Sequence, residues 1–316
     1  MIARSLTFLV AAVSFGTAAM AQEPVRWTTL GTNAGPIPNA QRSEPANLLR
    51  IGKHLVLVDV GDGAVEQLGK AKIPFEQVDT LFISHNHFDH VGGLFALLGR
   101  RYQVVAPNVL TIYGPPGTRA IVDGLVAAVT SAAEAGSVVR APGRRAPADS
   151  VKVIEIADGQ TVALDGGRVT AVANTHYATL SAGTSGTPPQ SLSLRFDLPG
   201  RAIVYTGDTG PSAKVEQLAV GADLLVSEII DPDAALARIH NARPDIDAAT
   251  LKLVDAHYRA EHLTPEAVGE LAGRAKVKAL VITHNPIDAA GLDAARGKIA
   301  AAYHGPITFA SDLDSF

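Results

Sequence analysis

Cysteine is absent from the 316 residues, which excludes disulfides, thiolate zinc sites and cysteine nucleophiles. An excess of positive charge is missing too. The formal net charge is −4, a poor basis for gripping phosphate backbones over a wide surface. No Pro/Gly linker is long enough to split the chain, and no short-period repeat recurs along it. Beyond the N-terminal segment, no stretch is apolar enough to cross a membrane. What remains has an ordinary apolar content of 47% and length for one large domain or two small ones.

The N-terminus reads as a separate device. Arg4 supplies positive charge, Leu6 to Ala19 is apolar and small, and Ala19-Met20-Ala21 fits a small-x-small cleavage site. Residues 1–21 are therefore expected to be a secretory signal peptide, leaving residues 22–316 periplasmic or secreted, with no membrane attachment after cleavage. The single Arg, in place of a twin-Arg pair, favours the general secretory route. The alternative, a membrane anchor, asks for a longer apolar run of about 20 residues.

The rest of the chain is organised around Ser84-His85-Asn86-His87-Phe88-Asp89-His90. An apolar run, Thr80 to Ile83, precedes it and reads as a buried strand; Val91 to Leu98 reads as a helix after it. The loop at this strand end thus carries His and Asp side chains of the kind that bind zinc, where a catalytic site leaves one position open for water.

Further strands are expected at 27–32, 48–51, 55–58, 103–106, 110–113, 151–156, 160–164, 168–173, 191–196, 202–205, 224–226, 277–283 and 307–310. Helices are expected at 67–70, 120–134, 247–259 and 265–275, with Thr118 capping the second of these. Val139 to Pro147 reads as a solvated basic loop. A layered α/β domain with helices covering two sheets fits this order. Several strands end in a polar group: Asp59, His176, Asp208, Glu228 and His284. Such groups can converge on one rim of a sheet stack and clamp two ions. Asp59 fits either a brace for a metal ligand or an ordinary turn.

His85-x-His87-x-Asp89-His90, followed in order by His176, Asp208 and His284, resembles the metallo-β-lactamase superfamily across nearly all of the mature chain. Tyr113 to Thr118, Tyr205 to Thr209 and His262-Leu263-Thr264-Pro265 make it most similar to the ribonuclease Z and bacterial arylsulfatase branch. The resemblance implies a four-layer αββα sandwich of two mixed β-sheets with helices on both outer faces. It implies two Zn2+ per chain: His85, His87 and His176 hold one, Asp89, His90 and His284 the other, and Asp208 bridges. It assigns catalysis to Asp89, His262 and Glu228, the last two as a pair that hands a proton to the leaving group, with metal-bridging hydroxide as nucleophile. His54, His240, His257 and His304 lie outside the pattern and are expected at the surface or in packing.

tRNA-processing members carry a long arm between the positions of His176 and Asp208. Here 31 residues lie between them. With the acidic charge and the signal peptide, this points to an exported hydrolase of small anionic esters, aryl sulfate or phosphodiester. Nucleic acid is not the expected partner, and a homodimer is left open. The motifs equally permit a ribonuclease Z-type tRNA 3′ endonuclease or a lactonase, and a metal-binding protein without turnover is a fourth reading. Iron or manganese would also fit the ligands.

Overall fold

Two β-sheets stacked face to face, with helices on both outer sides, carry residues 25–135, 144–179 and 188–316, the parts that the computed structural model describes. The signal-peptide segment 1–21, part of the basic loop 139–147 with Arg140, and positions 180–187 lie outside those residues. Among the described residues no helix is long and apolar enough to cross a membrane.

The first sheet runs in the order β1 (Arg26–Gly31), β2 (Ala46–Ile51), β3 (His54–Val60), β4 (Thr80–Phe82), β5 (Leu110–Gly114) and β6 (Val151–Glu155). Its first two pairings are antiparallel and the next three parallel. Helices α1 (Ala64–Lys70), α2 (Phe88–Val91), α3 (Leu94–Gln103) and α4 (Thr118–Glu134) supply the crossovers that parallel pairing requires. The second sheet repeats the plan. Strands β7 (Thr161–Leu164), β8 (Gly167–Ala173), β9 (Leu192–Leu198) and β10 (Arg201–Tyr205) pair antiparallel. Strands β11 (Leu224–Ser227), β12 (Leu280–Ile282) and β13 (Ile307–Phe309) then continue from β10 in parallel. Its helices are α5 (Ala213–Ala219), α6 (Pro232–Ala242), α7 (Ala248–Glu261), α8 (Pro265–Ala275) and α9 (Leu292–Ala300).

Alternation along the strands builds the layers. Val56 and Val58 of β3 point between the sheets while Leu55 and Leu57 pack outward with α1 and α3. On β10, Ile203 and Tyr205 point between the sheets and Val204 packs outward against α5 and α8. Trp27 and Phe82 both meet Phe196 edge-on, with ring centroids 5.8 and 5.7 Å apart, and join the two sheets at the centre. The expected four-layer αββα arrangement is what the chain adopts. Because β3 runs parallel to β4, and β10 to β11 and β12, their C-terminal ends within each sheet open at one edge.

Several local expectations need correction. The helix expected over 91–98 is two helices, α2 and α3, broken at Gly92-Gly93. Gly93 donates its N–H to the Val60 carbonyl at 2.8 Å, and a Cβ there would lie 2.4 Å from the Gly61 carbonyl oxygen. Only glycine permits that approach. Residues 103–106 are not a strand. Helix α3 continues to Gln103 because Leu94, Leu97, Leu98 and Arg101 form its buried face, and the Arg101 guanidinium donates to the carbonyls of Glu76 and Asn108. These tertiary contacts override the β-preference of Val104 and Val105. Thr118 does not cap α4; Gly117 holds that position at φ 98°, and the Thr118 hydroxyl donates to the Pro115 carbonyl. Helices α5, α6 and α9 have no counterpart in the sequence reading.

Candidate metal centre

The loop after β4 brings His85 and His87 to the open edge, and α2 adds Asp89 and His90 one turn later. The loop after β8 brings His176, β10 brings Asp208, and β12 brings His284. All seven meet. Ligand-capable atoms of His85, His87 and His176 lie within 4.8 Å of one another, as do those of Asp89, His90, Asp208 and His284. Asp208 stands between the groups: Oδ1 is 3.3 Å from His90 Nε2, and Oδ2 is 3.3 Å from His284 Nε2, 3.8 Å from His176 Nε2 and 3.9 Å from His85 Nε2.

The donor set fits bound cations. Among the described residues His85 Nε2, His90 Nε2 and Asp208 Oδ1 are buried without a hydrogen-bond partner, an arrangement that costs free energy unless something of positive charge engages them. Imidazole nitrogen and carboxylate oxygen are the ligands of zinc and of other divalent ions.

Burial and mutual charge divide the histidines. Burial, with His90 nearby, holds His85 well below the usual histidine range, and burial pushes His176 down to about 3 against the pull of Asp208. Both stay neutral, as a metal ligand must. His90 and His284 go the other way: burial opposes charge on each, but Asp208 and Asp89 outweigh it and raise them. Asp208 and Asp89 are held below the usual carboxylate range; their burial is outweighed by His284 and His90 for Asp208, and by His90 and His284 for Asp89.

Second contacts fix the first. Asp59, at φ 58°, accepts from the Ser84 backbone N–H at 2.7 Å, the Ser84 hydroxyl at 2.8 Å, the Tyr205 hydroxyl at 2.8 Å and His90 Nδ1 at 2.7 Å. Its carboxylate braces His90 rather than serving an ordinary turn, and it turns His90 Nε2 toward Asp208. His284, at φ 40°, is the other residue here in the left-handed region. A β-carbon is strained there, and such strain clusters at functional sites. Gly35 donates its N–H to Asp89 Oδ2 at 3.0 Å; a Cβ on Gly35 would lie 2.6 Å from that oxygen.

Glu228 and His262 form a buried pair beside this cluster. His262 Nδ1 and Glu228 Oε2 are 2.7 Å apart, and the second carboxylate oxygen accepts the Thr209 N–H at 2.5 Å. Burial opposes charge on His262, but Glu228 outweighs it and raises the imidazole to about 9. His176 and Asp208 lie within 4.8 Å of His262 as a third group of ligand-capable atoms. Thr264 and Pro265 begin α8 as the sequence implies, the Thr264 hydroxyl accepting from Ala267 N–H.

Some participants were not legible beforehand. Tyr205 enters the sequence reading only as the end of the strand at 202–205 and the start of the Tyr205 to Thr209 motif, and Glu261 lies beyond the helix expected at 247–259. Glu261 is buried; its backbone carbonyl accepts from His176 Nδ1 at 3.0 Å, and its carboxylate lies 2.8 Å from His257 Nδ1 and accepts the Thr179 N–H at 3.0 Å. His257, expected in packing or at the surface, is half-exposed with its ring 5.3 Å from that of His262. The only hint was their spacing of four residues on one helix. His54, by contrast, sits at the start of β3, the end of the strand opposite Asp59.

Comparison with known proteins places this geometry in context. A family profile described as the beta-lactamase superfamily domain matches residues 54–285. A ribonuclease Z from Mycobacterium sp. (strain KMS) is 32% identical over 293 residues, covering 90% of this chain and 93% of that one. The metallo-beta-lactamase fold protein YhfI from Bacillus subtilis superposes with a TM-score of 0.67 at 20% identity, over 93% of this chain and 99% of that one. Zn2+-bound PqqB from Methylobacterium extorquens superposes with a TM-score of 0.61 at 17% identity, over 92% and 99% of the two chains. These two likenesses establish the fold.

Proposed function

This chain belongs to the metallo-β-lactamase superfamily, as a hydrolase with ribonuclease Z relatives, and from that premise we propose that it cleaves phosphodiesters by ribonuclease Z-type chemistry with two zinc ions. The carrying observation is the buried Glu228–His262 pair beside two groups of ligand-capable atoms that share Asp208. A centre of that kind needs a proton donor only when the leaving group is a poor one, and a ribose or alkyl alkoxide is such a group.

His85, His87 and His176 would hold one ion, Asp89, His90 and His284 the other, with Asp208 between them. Bound there, the pair would lower the pKa of water and polarise the phosphoryl oxygens. The chain's own residues do the rest. Asp59 and the Glu261 carbonyl orient His90 and His176 through their Nδ1 atoms. Glu228 holds His262 by Nδ1 and keeps it charged, which leaves Nε2 to deliver a proton to the departing oxygen.

The ribonuclease Z relatives favour a phosphodiester over a sulfate ester, and make an RNA 3′ end the first substrate to test. A second reading, a small aryl phosphodiester, is favoured by the 31 residues between His176 and Asp208 and by the net charge of −4. Export through residues 1–21 belongs with that second reading. A zinc-loaded preparation should be assayed on a tRNA precursor with a 3′ trailer, bis(p-nitrophenyl) phosphate, p-nitrophenyl sulfate and a homoserine lactone. Cleavage of either phosphodiester supports the proposal. Turnover of the sulfate or lactone alone would refute it.

A further inference from the structure

Phe88 is 91% exposed, more than any other large apolar residue among those described. A single exposed apolar side chain is ordinary, but this one has an unusual place. It is covalently between His87 and Asp89, at the first position of α2, where His87 precedes the helix and Asp89 and His90 turn toward the centre. Successive side chains on a helix diverge by about 100°, so seating the next two residues inward leaves Phe88 outward. His87 is exposed while His85, His90 and His176 are buried, so solvent and substrate approach the cluster at His87, beside Phe88.

A second exposed apolar residue belongs to the same edge. Ile37, at 73%, lies in the loop that Gly35 ties to Asp89 Oδ2, and its carbonyl accepts from the Asn33 side chain at 3.0 Å. The Tyr177 ring stands 5.0 Å from the His87 imidazole. Apolar and aromatic surface therefore flanks His87, an exposed member of a strongly polar centre.

We propose that Phe88, assisted by Ile37, is a stacking platform for an aromatic group carried by the ester, a nucleobase or an aryl ring next to the scissile phosphate. The inference rests on the phosphodiester reading and extends it to the substrate's non-leaving group. Stacking on a phenyl face suits any planar ring, needs no hydrogen-bond code, and in single-strand recognition is lost when the aromatic side chain is truncated.

The test uses three substrates with the same p-nitrophenyl leaving group: methyl p-nitrophenyl phosphate, bis(p-nitrophenyl) phosphate and thymidine 5′-(p-nitrophenyl phosphate). The wild-type protein should prefer one or both aromatic esters. Phe88→Ala should lower kcat/KM for the preferred ester by at least about fivefold, through KM, and leave the methyl ester unchanged; Phe88→Trp should retain the preference. Whichever aromatic ester loses more identifies a nucleobase or an aryl ring as the occupant. Equal losses on all three substrates, or none, overturn the proposal. If the wild-type protein cleaves none of the three, the phosphodiester reading is decided by the tRNA precursor, and binding decides this proposal. Trp27, the only tryptophan, is buried, so the emission of zinc-loaded Phe88→Trp beyond that of the wild-type protein reports on position 88. Quenching by thymidine 5′-monophosphate or p-nitrophenyl phosphate supports the platform, and unchanged emission with both overturns it.

Discussion

His262 Nδ1 donates to Glu228 Oε2 across 2.7 Å, in a buried setting shared with Asp208 and His284. Glu228 itself is raised by burial, against the effect of His262. For a proton donor the charged imidazole is the active form. Turnover of a substrate with an alkoxide leaving group should hold up to a pH of about 9 and fall above it. In Glu228→Gln the fall should move down toward the ordinary histidine value, about 6.5. His262→Asn should cost about 10²–10⁴-fold on that substrate and far less on a p-nitrophenyl ester, whose leaving group needs no proton. Equal losses on both would assign His262 a role other than proton donation.

Asp208 is placed against both halves of the centre. Metal analysis of the purified wild-type protein should find two zinc ions per chain, and Asp208→Asn should retain one at most and lose activity. Because a cation bound only by the folded protein stabilises it, chelation should lower the thermal midpoint of the wild type and shift Asp208→Asn less. An unchanged midpoint on chelation would argue against a resident metal.

Four hydrogen bonds converge on the Asp59 carboxylate, one of them from His90. Asp59→Asn keeps the size but removes the acceptor that orients His90, and should weaken metal affinity by about 10–100-fold. Tyr205→Phe removes one donor and leaves three; it should cost about 1–2 kcal/mol of stability with a smaller effect on metal binding. A metal titration beside a denaturation curve separates the two outcomes.

His54 clasps the sheets at the end remote from the metal centre. Its Nε2 lies 2.6 Å from Asp79, at the start of β4, and its Nδ1 2.5 Å from Asp165, in the turn between β7 and β8. Burial opposes its charge, but the two carboxylates raise it above the ordinary histidine value. A raised histidine stabilises the fold fully below its unfolded pKa and loses that contribution as pH climbs through the folded one. The midpoint difference between wild type and His54→Gln should therefore be largest near pH 5.5–6, about or below the unfolded value, and shrink steadily into the alkaline range. A difference that grows with pH would invert this reading.

The ordered string from His85 to His284 was readable because each residue follows an apolar run that has to be a strand. Once such strands lie parallel in two packed sheets, their ends share an edge. Strand and helix identity was equally legible where one period dominated, as at β3, β10 and α8. It was not legible at Val104-Val105, where Arg101, buried by contacts from residues near 75 and 108, carries the helix onward, nor at α5 and α9, which are short and weakly patterned.

The sequence by itself determined the layered α/β architecture, the identity of the seven metal-capable residues and the order in which strands present them, since all three follow from local apolar periodicity and residue chemistry. Only the tertiary structure decided that Asp59 serves His90, that Glu261 turns inward to hold His176 and His257, and that Phe88 stands exposed while Asp89 and His90 face the centre. Those outcomes depend on contacts between segments 31 to 85 positions apart and on the direction of one helical turn, which no local pattern encodes.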